Sequence, residues 1–158
     1  PVGLNDSKKI SKKRREEVFV QILETSIYSI GEACVIEIDK LNIYHASHLA
    51  MCRAINGLPD EPQYALIDGN KVPEKLQIPA LAVVKGDSKS LSISAASIVA
   101  KVSRDNYMVD LAQHYPEYGW EKNAGYPTKA HIFALKKCGV TPHHRVSFRP
   151  VHNILYQG

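Results

Sequence analysis

Two aspartates occupy positions where solubility is a poor reason for a charge. Asp68 ends the apolar run Ala65-Leu66-Ile67 and is followed at once by Gly69-Asn70. That order puts it at the carboxyl edge of a buried strand, at a turn, where open α/β sheets place their sites. Asp-Gly-Asn is also ordinary turn chemistry, with the carboxylate capping its own backbone, so on this residue alone both readings stand. Asp105 lies on the stripe Leu91, Ala95, Ile98, Val102, Asp105, Val109, Ala112, whose steps of three and four trace one helical face. An unpaired charge on a face turned to the core costs several kcal/mol, so Asp105 needs a partner. Arg104 or Lys101 curling round, a backbone donor and a metal ion all qualify. Two carboxylates brought together repel unless a cation lies between them. Their hard oxygens select Mg²⁺ or Mn²⁺, and the chemistry such a site does best is metal-assisted phosphodiester hydrolysis.

Other motifs carry less. Gly86-Asp87-Ser88-Lys89-Ser90 lacks the G-x-x-x-x-G-K-[ST] spacing of a nucleotide cradle. It reads as a strand-to-helix turn whose free backbone N–H groups could hold one phosphate. Ser92, Ser94, Ser97 and Ser103 form no S-x-x-K pattern and read as a close-packing helix face. His143-His144 are adjacent, so their side chains point apart, and phosphate contact or plain solvation fits them better than a metal pair. Tyr126, in Gly125-Tyr126-Pro127-Thr128, is either a packed loop aromatic or a platform on which a base or sugar stacks.

The charge distribution favours a polyanionic partner. The chain has 158 residues, 44% hydrophobic and 23% charged, with a formal net charge of +4, within the range of an ordinary globular domain. Residues 1–16 hold six lysines and arginines against Asp6 and Glu16, and residues 119–149 hold six against Glu121. Everything between and beyond is net acidic. Basic flanks around an acidic middle suit a nucleic-acid backbone gripped at its edges, with solvated basic faces as the plain alternative. Cys34, Cys52 and Cys138 are odd in number and widely spaced, which argues for a reducing compartment and a cytoplasmic protein. No apolar run approaches the ~20 residues of a membrane span.

The elements that must position these residues alternate. Ser11 is placed to N-cap a helix to about Thr25, with Val18, Phe19, Ile22 and Leu23 on one face. Its basic first turns oppose the helix dipole, a cost that a nearby phosphate would offset. Ile27–Ile36 has the β-branched and aromatic content of a strand, Glu37–Gly57 reads as a helix with Gly57 as its stop, and Tyr64–Ile67 and Ala80–Val84 read as buried strands of a largely parallel sheet. Ser90 or Ser92 opens a long helix to about His114. A Gly/Tyr/Pro-rich loop follows Pro116, then a short helix from about Thr128 to Lys137 stopped by Gly139, then an irregular basic tail. The sum is an α/β layered domain without repeats or linkers.

Several stretches resemble bacterial ribonuclease HII, the type 2 ribonuclease H family. They are Leu4-Asn5-Asp6-Ser7-Lys8-Lys9, Leu66-Ile67-Asp68-Gly69-Asn70, the serine- and alanine-rich run from Lys85 to Asp105, Gly125-Tyr126-Pro127-Thr128-Lys129-Ala130-His131, and His144-Arg145-Val146-Ser147-Phe148. They follow the family's order through almost the whole chain. The resemblance implies an RNase H-like mixed sheet flanked by helices, and one catalytic domain over residues 1–158. It also implies endonucleolytic cleavage of the RNA strand of RNA–DNA hybrids, and 5′ to ribonucleotides embedded in duplex DNA, leaving 3′-hydroxyl and 5′-phosphate ends. Asp68 and Asp105 then match two of the family's four metal-binding carboxylates, which take Mg²⁺ or Mn²⁺, one ion activating water and the other stabilising the departing 3′-oxygen. Tyr126 matches the tyrosine that stacks on the deoxyribose after the ribonucleotide. Ser7, Lys8 and Arg145 fall in substrate-binding motifs. No membrane and no obligate protein partner are implied.

One departure stands out. Family members carry D-E-x-G-R-G on a first, central strand that supplies the other two carboxylates, and no such motif occurs in this sequence. The expectation is a domain incomplete at its N-terminus, from which that strand region is missing. A fragment or incomplete record is favoured over a native start or a strand supplied by another chain. The rival function is an inactive nucleic-acid-binding fragment of such an enzyme.

Overall fold

The computed structural model describes residues 10–157 and is mostly helical with one small sheet. Helix α1 (Lys12–Thr25) starts as its sequence dictates: the Ser11 hydroxyl accepts the Arg14 N–H at 3.2 Å, and Val18 and Ile22 are buried on one face. The basic first turn is balanced locally. Lys12 reaches Glu16 at 3.8 Å, Arg14 reaches Glu17 at 3.2 Å, and the Arg15 guanidinium donates to the Ile10 carbonyl. No phosphate is needed to explain it.

The strand expected over Ile27–Ile36 does not form. Residues 27–34 carry no regular secondary structure, and Ile27, Tyr28 and Ile30 are exposed. The reason lies in tertiary contact. A Cβ on Gly31 would sit 2.0 Å from the Ala50 carbonyl oxygen and 2.4 Å from the Ala54 nitrogen, so this segment lays its backbone directly on a helix. The Arg53 guanidinium, from the same helix, donates to the Glu32 carbonyl at 2.7 Å. Close approach to a helix replaces a ladder partner, and β propensity yields to it.

That helix, α2 (Val35–Asn56), starts two residues earlier than expected and is kinked. The Glu37 carboxylate accepts the Cys34 N–H at 2.9 Å, one half of a capping box. Asn42 has φ 67° and ψ 165°, and its Oδ1 accepts the N–H groups of Tyr44 and His45 at 3.0 and 3.2 Å. Asn42 therefore ends one helical stretch and its side chain caps the first amides of the next, in a positive-φ extended conformation that only glycine adopts without strain.

Strands β1 (Ala65–Asp68) and β2 (Ala80–Val83) pair in parallel, Ala65 opposite Ala80 and Asp68 opposite Val83. They are covered on one face only. Ala65 and Ile67 are buried, whereas Leu66 is 42% and Leu81 52% exposed. A 3₁₀ turn over Gly86–Ser88 leads into α3 (Leu91–His114), an unbroken helix. Its buried stripe is displaced from the expected one, since Leu91 and Val109 are exposed while Ser94, Ile98, Val102, Met108 and Ala112 are buried. Asp105 stays on the half-buried margin of that stripe.

The segment beyond Pro116 is more regular than expected. A 3₁₀ turn (Pro116–Tyr118) and a one-turn helix α4 (Trp120–Asn123) precede α5 (Lys129–Cys138), which Thr128 caps by accepting the His131 N–H at 3.2 Å. The supposed irregular tail contains helix α6 (Arg149–Tyr156), with Pro150 in its first turn, where the missing N–H costs nothing.

The chain divides into two compact units. The first comprises residues up to Glu32 with Ser47–Val102, and its core is Val18, Ile22, Ile98, Val99 and Val102. The second comprises Ala33–Ala46 with Ser103–Gly158, and its core joins Met108, Ala112, Tyr118, Trp120, Ala134, Leu135 and Val151. Each large side chain in these cores contributes ~1.5–3 kcal/mol by leaving water. Among the described residues no helix is long and apolar enough to cross a membrane.

Candidate active site

Asp68 closes β1 at its carboxyl end, as its place in the sequence predicts. Its carboxylate does not cap its own turn. Oδ1 instead accepts the Gly86 N–H at 2.8 Å, fastening the end of β1 to the turn between β2 and α3. A Cβ on Gly86 would lie 3.2 Å from that oxygen and 2.5 Å from Ile93 Cδ1, so glycine is what lets the turn come so near. Oδ2 makes no protein hydrogen bond among the described residues, and the side chain is exposed. Asp68 is therefore held by one oxygen and open at the other.

The phosphate-holding reading of the Gly86–Ser90 turn does not survive. The N–H of Gly86 goes to Asp68, that of Ser88 to the Lys85 carbonyl, and those of Lys89 and Ser90 to the Gly86 carbonyl. Four amides of this turn are thus satisfied within the protein.

Asp105 is half-buried on α3, in the second unit. The neighbouring Arg104 guanidinium sits 5.8 Å from the centroid of the Tyr107 ring. Among the described residues no group of three or more His, Cys, Asp or Glu side chains is placed to hold a metal.

Tyr126 presents its ring to solvent at 66% exposure while its backbone is held from three sides. Its N–H donates to the Asn123 carbonyl at 2.8 Å, and its own carbonyl accepts the Thr128 N–H at 2.8 Å and faces His131 Nδ1 at 3.0 Å. Gly125 before it has φ +81°, with Met108 Cε and Arg104 Nη2 within 4 Å of where a Cβ would be. An exposed ring on a fixed backbone can stack on a planar or sugar surface with little ordering cost.

Arg145 lies 5.2 Å above the Phe148 ring, on a loop gripped by a residue that spacing did not single out. The Asp39 carboxylate accepts the N–H groups of Val146 and Ser147 at 2.9 and 3.0 Å, and the Ser147 hydroxyl as well. Burial pushes the Asp39 carboxyl up, but those hydrogen bonds and the Arg145 charge outweigh it and leave its pKa below the ordinary value.

His131 and His144 pair in the interior, a placement that their spacing in the sequence does not suggest. They are 4% and 7% exposed, with Nε2 atoms 3.2 Å apart, and the Trp120 indole N–H donates to His131 at 3.1 Å. Solvation of His144 is thereby excluded. The available signal was the pairing of Thr128 with a histidine three residues later, the N-cap and N3 positions of α5. Ser7 and Lys8 lie outside the described residues.

Known proteins match this chain throughout. The family model described as Ribonuclease HII matches residues 1–151. Ribonuclease HII of Ruegeria sp. (strain TM1040) is 60% identical over 157 residues, covering 99% of this chain and 69% of the relative. That of Magnetococcus marinus is also 60% identical over 157 residues, covering 98% and 74%. Among solved structures, the crystal structure of the ribonuclease H2 from Pyrococcus horikoshii OT3 superposes with a TM-score of 0.80 at 26% identity, over 98% of this chain and 81% of that one. With the family model, the identities and the fold in agreement, the chain belongs to the ribonuclease HII family of endonucleases.

Proposed function

We propose that the chain is an endoribonuclease that cuts the RNA strand of RNA–DNA hybrids and the 5′ side of ribonucleotides embedded in duplex DNA, by two-metal-ion phosphodiester hydrolysis in the cytoplasm. The observation that carries this is Asp68, an exposed carboxylate at the carboxyl end of a parallel strand, fixed through one oxygen and open at the other. Asp68 and Asp105 are the proposed metal-binding residues. Their donor chemistry fits Mg²⁺ or Mn²⁺, which are commonly held by one or two carboxylates with substrate phosphates and water completing the shell. When bound, such an ion supplies Lewis acidity at a phosphoryl oxygen and a water nucleophile at neutral pH.

The other roles belong to the chain's own side chains. The Gly86 N–H orients Asp68, so the open oxygen is presented without rotamer searching. Tyr126 offers the ring on which the deoxyribose following the ribonucleotide stacks. Arg145, with Ser7 and Lys8, holds phosphates on either side. The three cysteines are free, which suits a reducing compartment.

A duplex carrying a single ribonucleotide tests this. With Mn²⁺ or Mg²⁺ the protein should cut once, 5′ to the ribonucleotide, and Asp68→Asn should abolish cutting while leaving duplex affinity within about twofold, because the phosphate contacts that dominate affinity are untouched. Turnover retained by Asp68→Asn removes that residue from the mechanism. The second reading, a nucleic-acid-binding fragment without activity, is favoured by one observation: no group of three or more metal-capable side chains is assembled among the described residues. Salt-sensitive binding without cleavage at any metal concentration selects it.

A further inference from the structure

The proposed chemistry leaves two buried histidines unused, and one of them, His131, faces the Tyr126 carbonyl. Their tautomers follow from partners that can act in only one way. The Trp120 indole N–H only donates, so His131 Nε2 accepts it at 3.1 Å and the ring carries its proton on Nδ1. That Nδ1–H faces the Tyr126 carbonyl at 3.0 Å and donates to it. The Thr141 N–H likewise only donates, so His144 Nδ1 accepts it at 3.1 Å, with the Thr141 hydroxyl 2.9 Å away. His144 then carries its proton on Nε2, 3.2 Å from His131 Nε2, so this N–H and the Trp120 indole N–H share the single lone pair of that nitrogen. Every polar atom of both rings has a partner, and each partner fixes the next.

Aromatic packing closes the chain. Tyr118 stacks on Trp120 at 5.1 Å between centroids and tilts over His144 at 5.0 Å. The Tyr118 hydroxyl donates to the Gly139 carbonyl at 2.9 Å, and the Asn123 amide donates to the Tyr118 carbonyl at 2.7 Å. A satisfied buried network of this kind holds one geometry rather than several. What it holds is the carbonyl of a residue whose own ring is exposed.

We propose that the buried chain Thr141–His144–His131–Trp120 is a positioning device for nucleic-acid binding, with His131 fixing the Tyr126 backbone so that its ring meets the substrate sugar in one orientation. This rests on the proposed stacking role of Tyr126. His131 acts through Tyr126 and touches no substrate, which makes it a positioning residue.

Two substitutions separate the halves of the His131 ring. Asn at 131 can place an N–H where Nδ1–H was and keep the bond to Tyr126. Gln at 131 can place an oxygen where Nε2 was and keep the Trp120 bond while losing the other. Affinity for the ribonucleotide-containing duplex would be read by fluorescence anisotropy without divalent ions, so that no cleavage intervenes. His131→Gln is expected to weaken binding about tenfold and His131→Asn less than about threefold. In the Tyr126→Ala background His131→Gln should add no further loss, because the residue it serves is gone. Trp120→Phe, which keeps an aromatic ring but removes the indole N–H, should weaken binding about threefold in the wild-type background alone. It provides the same cycle if His131→Gln fails to fold. Equal losses for Asn and Gln, or losses that add to that of Tyr126→Ala, overturn the positioning role while leaving the nuclease proposal intact. A wild-type protein without affinity for the duplex overturns both.

Discussion

At the scale of single residues, the structure separates what must be precise from what need only be polar. Gly86 is of the first kind. Adding a methyl group there places a carbon 2.5 Å from the buried Ile93 and 3.2 Å from the Asp68 oxygen that the Gly86 N–H holds. Gly86→Ala is expected to cost about 1–3 kcal/mol, the usual range for overpacking, visible as a lower urea midpoint at unchanged slope. It should also lower activity by more than the stability loss explains, because Asp68 is displaced. His144 sets a different expectation, read by pH. Burial foremost, then the neighbouring charges of His131 and His143, lower its pKa to about 4 from an ordinary 6.5. Between those values the unfolded chain binds a proton that the folded chain refuses, so stability is complete above about pH 6.5 and falls as pH drops towards 4. The most this group can remove is about 3 kcal/mol. Asp39, lowered from 3.8, loses its contribution only in more acid solution, so the window belongs to the histidine. Melting temperature followed from pH 7.5 to 4.5 checks this, and His144→Asn should flatten the profile.

At the scale of elements, Gly31 is the sharpest test. Its missing Cβ is what brings residues 27–34 onto α2, and the atoms in the way, the Ala50 oxygen and the Ala54 nitrogen, belong to backbone that cannot rotate aside. Gly31→Ala should therefore fall at the top of the ~1–3 kcal/mol overpacking range, well above the same change at Gly69, where the space is open and only the φ of +129° resists. Chemical denaturation of the two variants side by side decides it. The same segment shows where sequence stops being legible. Helices α1, α3 and α5 and the strand pair could be read because caps and periodicity are local signals, carried by Ser11, Thr128, Gly139 and the apolar runs before Asp68 and Val84. The β-rich stretch Ile27–Ile36 could not, because its partner is a helix backbone distant in sequence. The Asn42 break and the Pro150 start of α6 left readable marks that a coarse periodicity passes over. Of the candidate site, the strand end at Asp68 and the loop at Tyr126 are local features that the sequence marks. The burial of His131 against His144 leaves no mark in the neighbours of either residue, because the two meet each other across thirteen residues.

For the whole molecule the decisive property is charge and where it is already committed. The net charge of +4 is modest, and part of the basic excess on α1 faces its own glutamates. Those pairs are solvent-exposed, worth only ~0.2–0.5 kcal/mol each on a helix, so a phosphate can displace either carboxylate at little cost. The second basic segment is differently disposed. Lys129 and Lys136 flank a shallow groove over Pro127, Ile132 and Phe133, beside the exposed Tyr126, with Phe133 itself exposed. Seven residues apart on α5, they stand about 10 Å from each other along one helical face, a spacing that lets both meet phosphates of one duplex. Binding should therefore weaken steeply between about 50 and 200 mM salt, with a log–log slope that becomes shallower by about 2 when Lys129 and Lys136 are both changed to alanine, close to the 0.9 lost per phosphate contact. Titrations of a labelled hybrid at four salt concentrations measure that slope directly. An unchanged slope in the double variant would remove α5 from the substrate surface, and affinity indifferent to salt would remove the nucleic acid altogether.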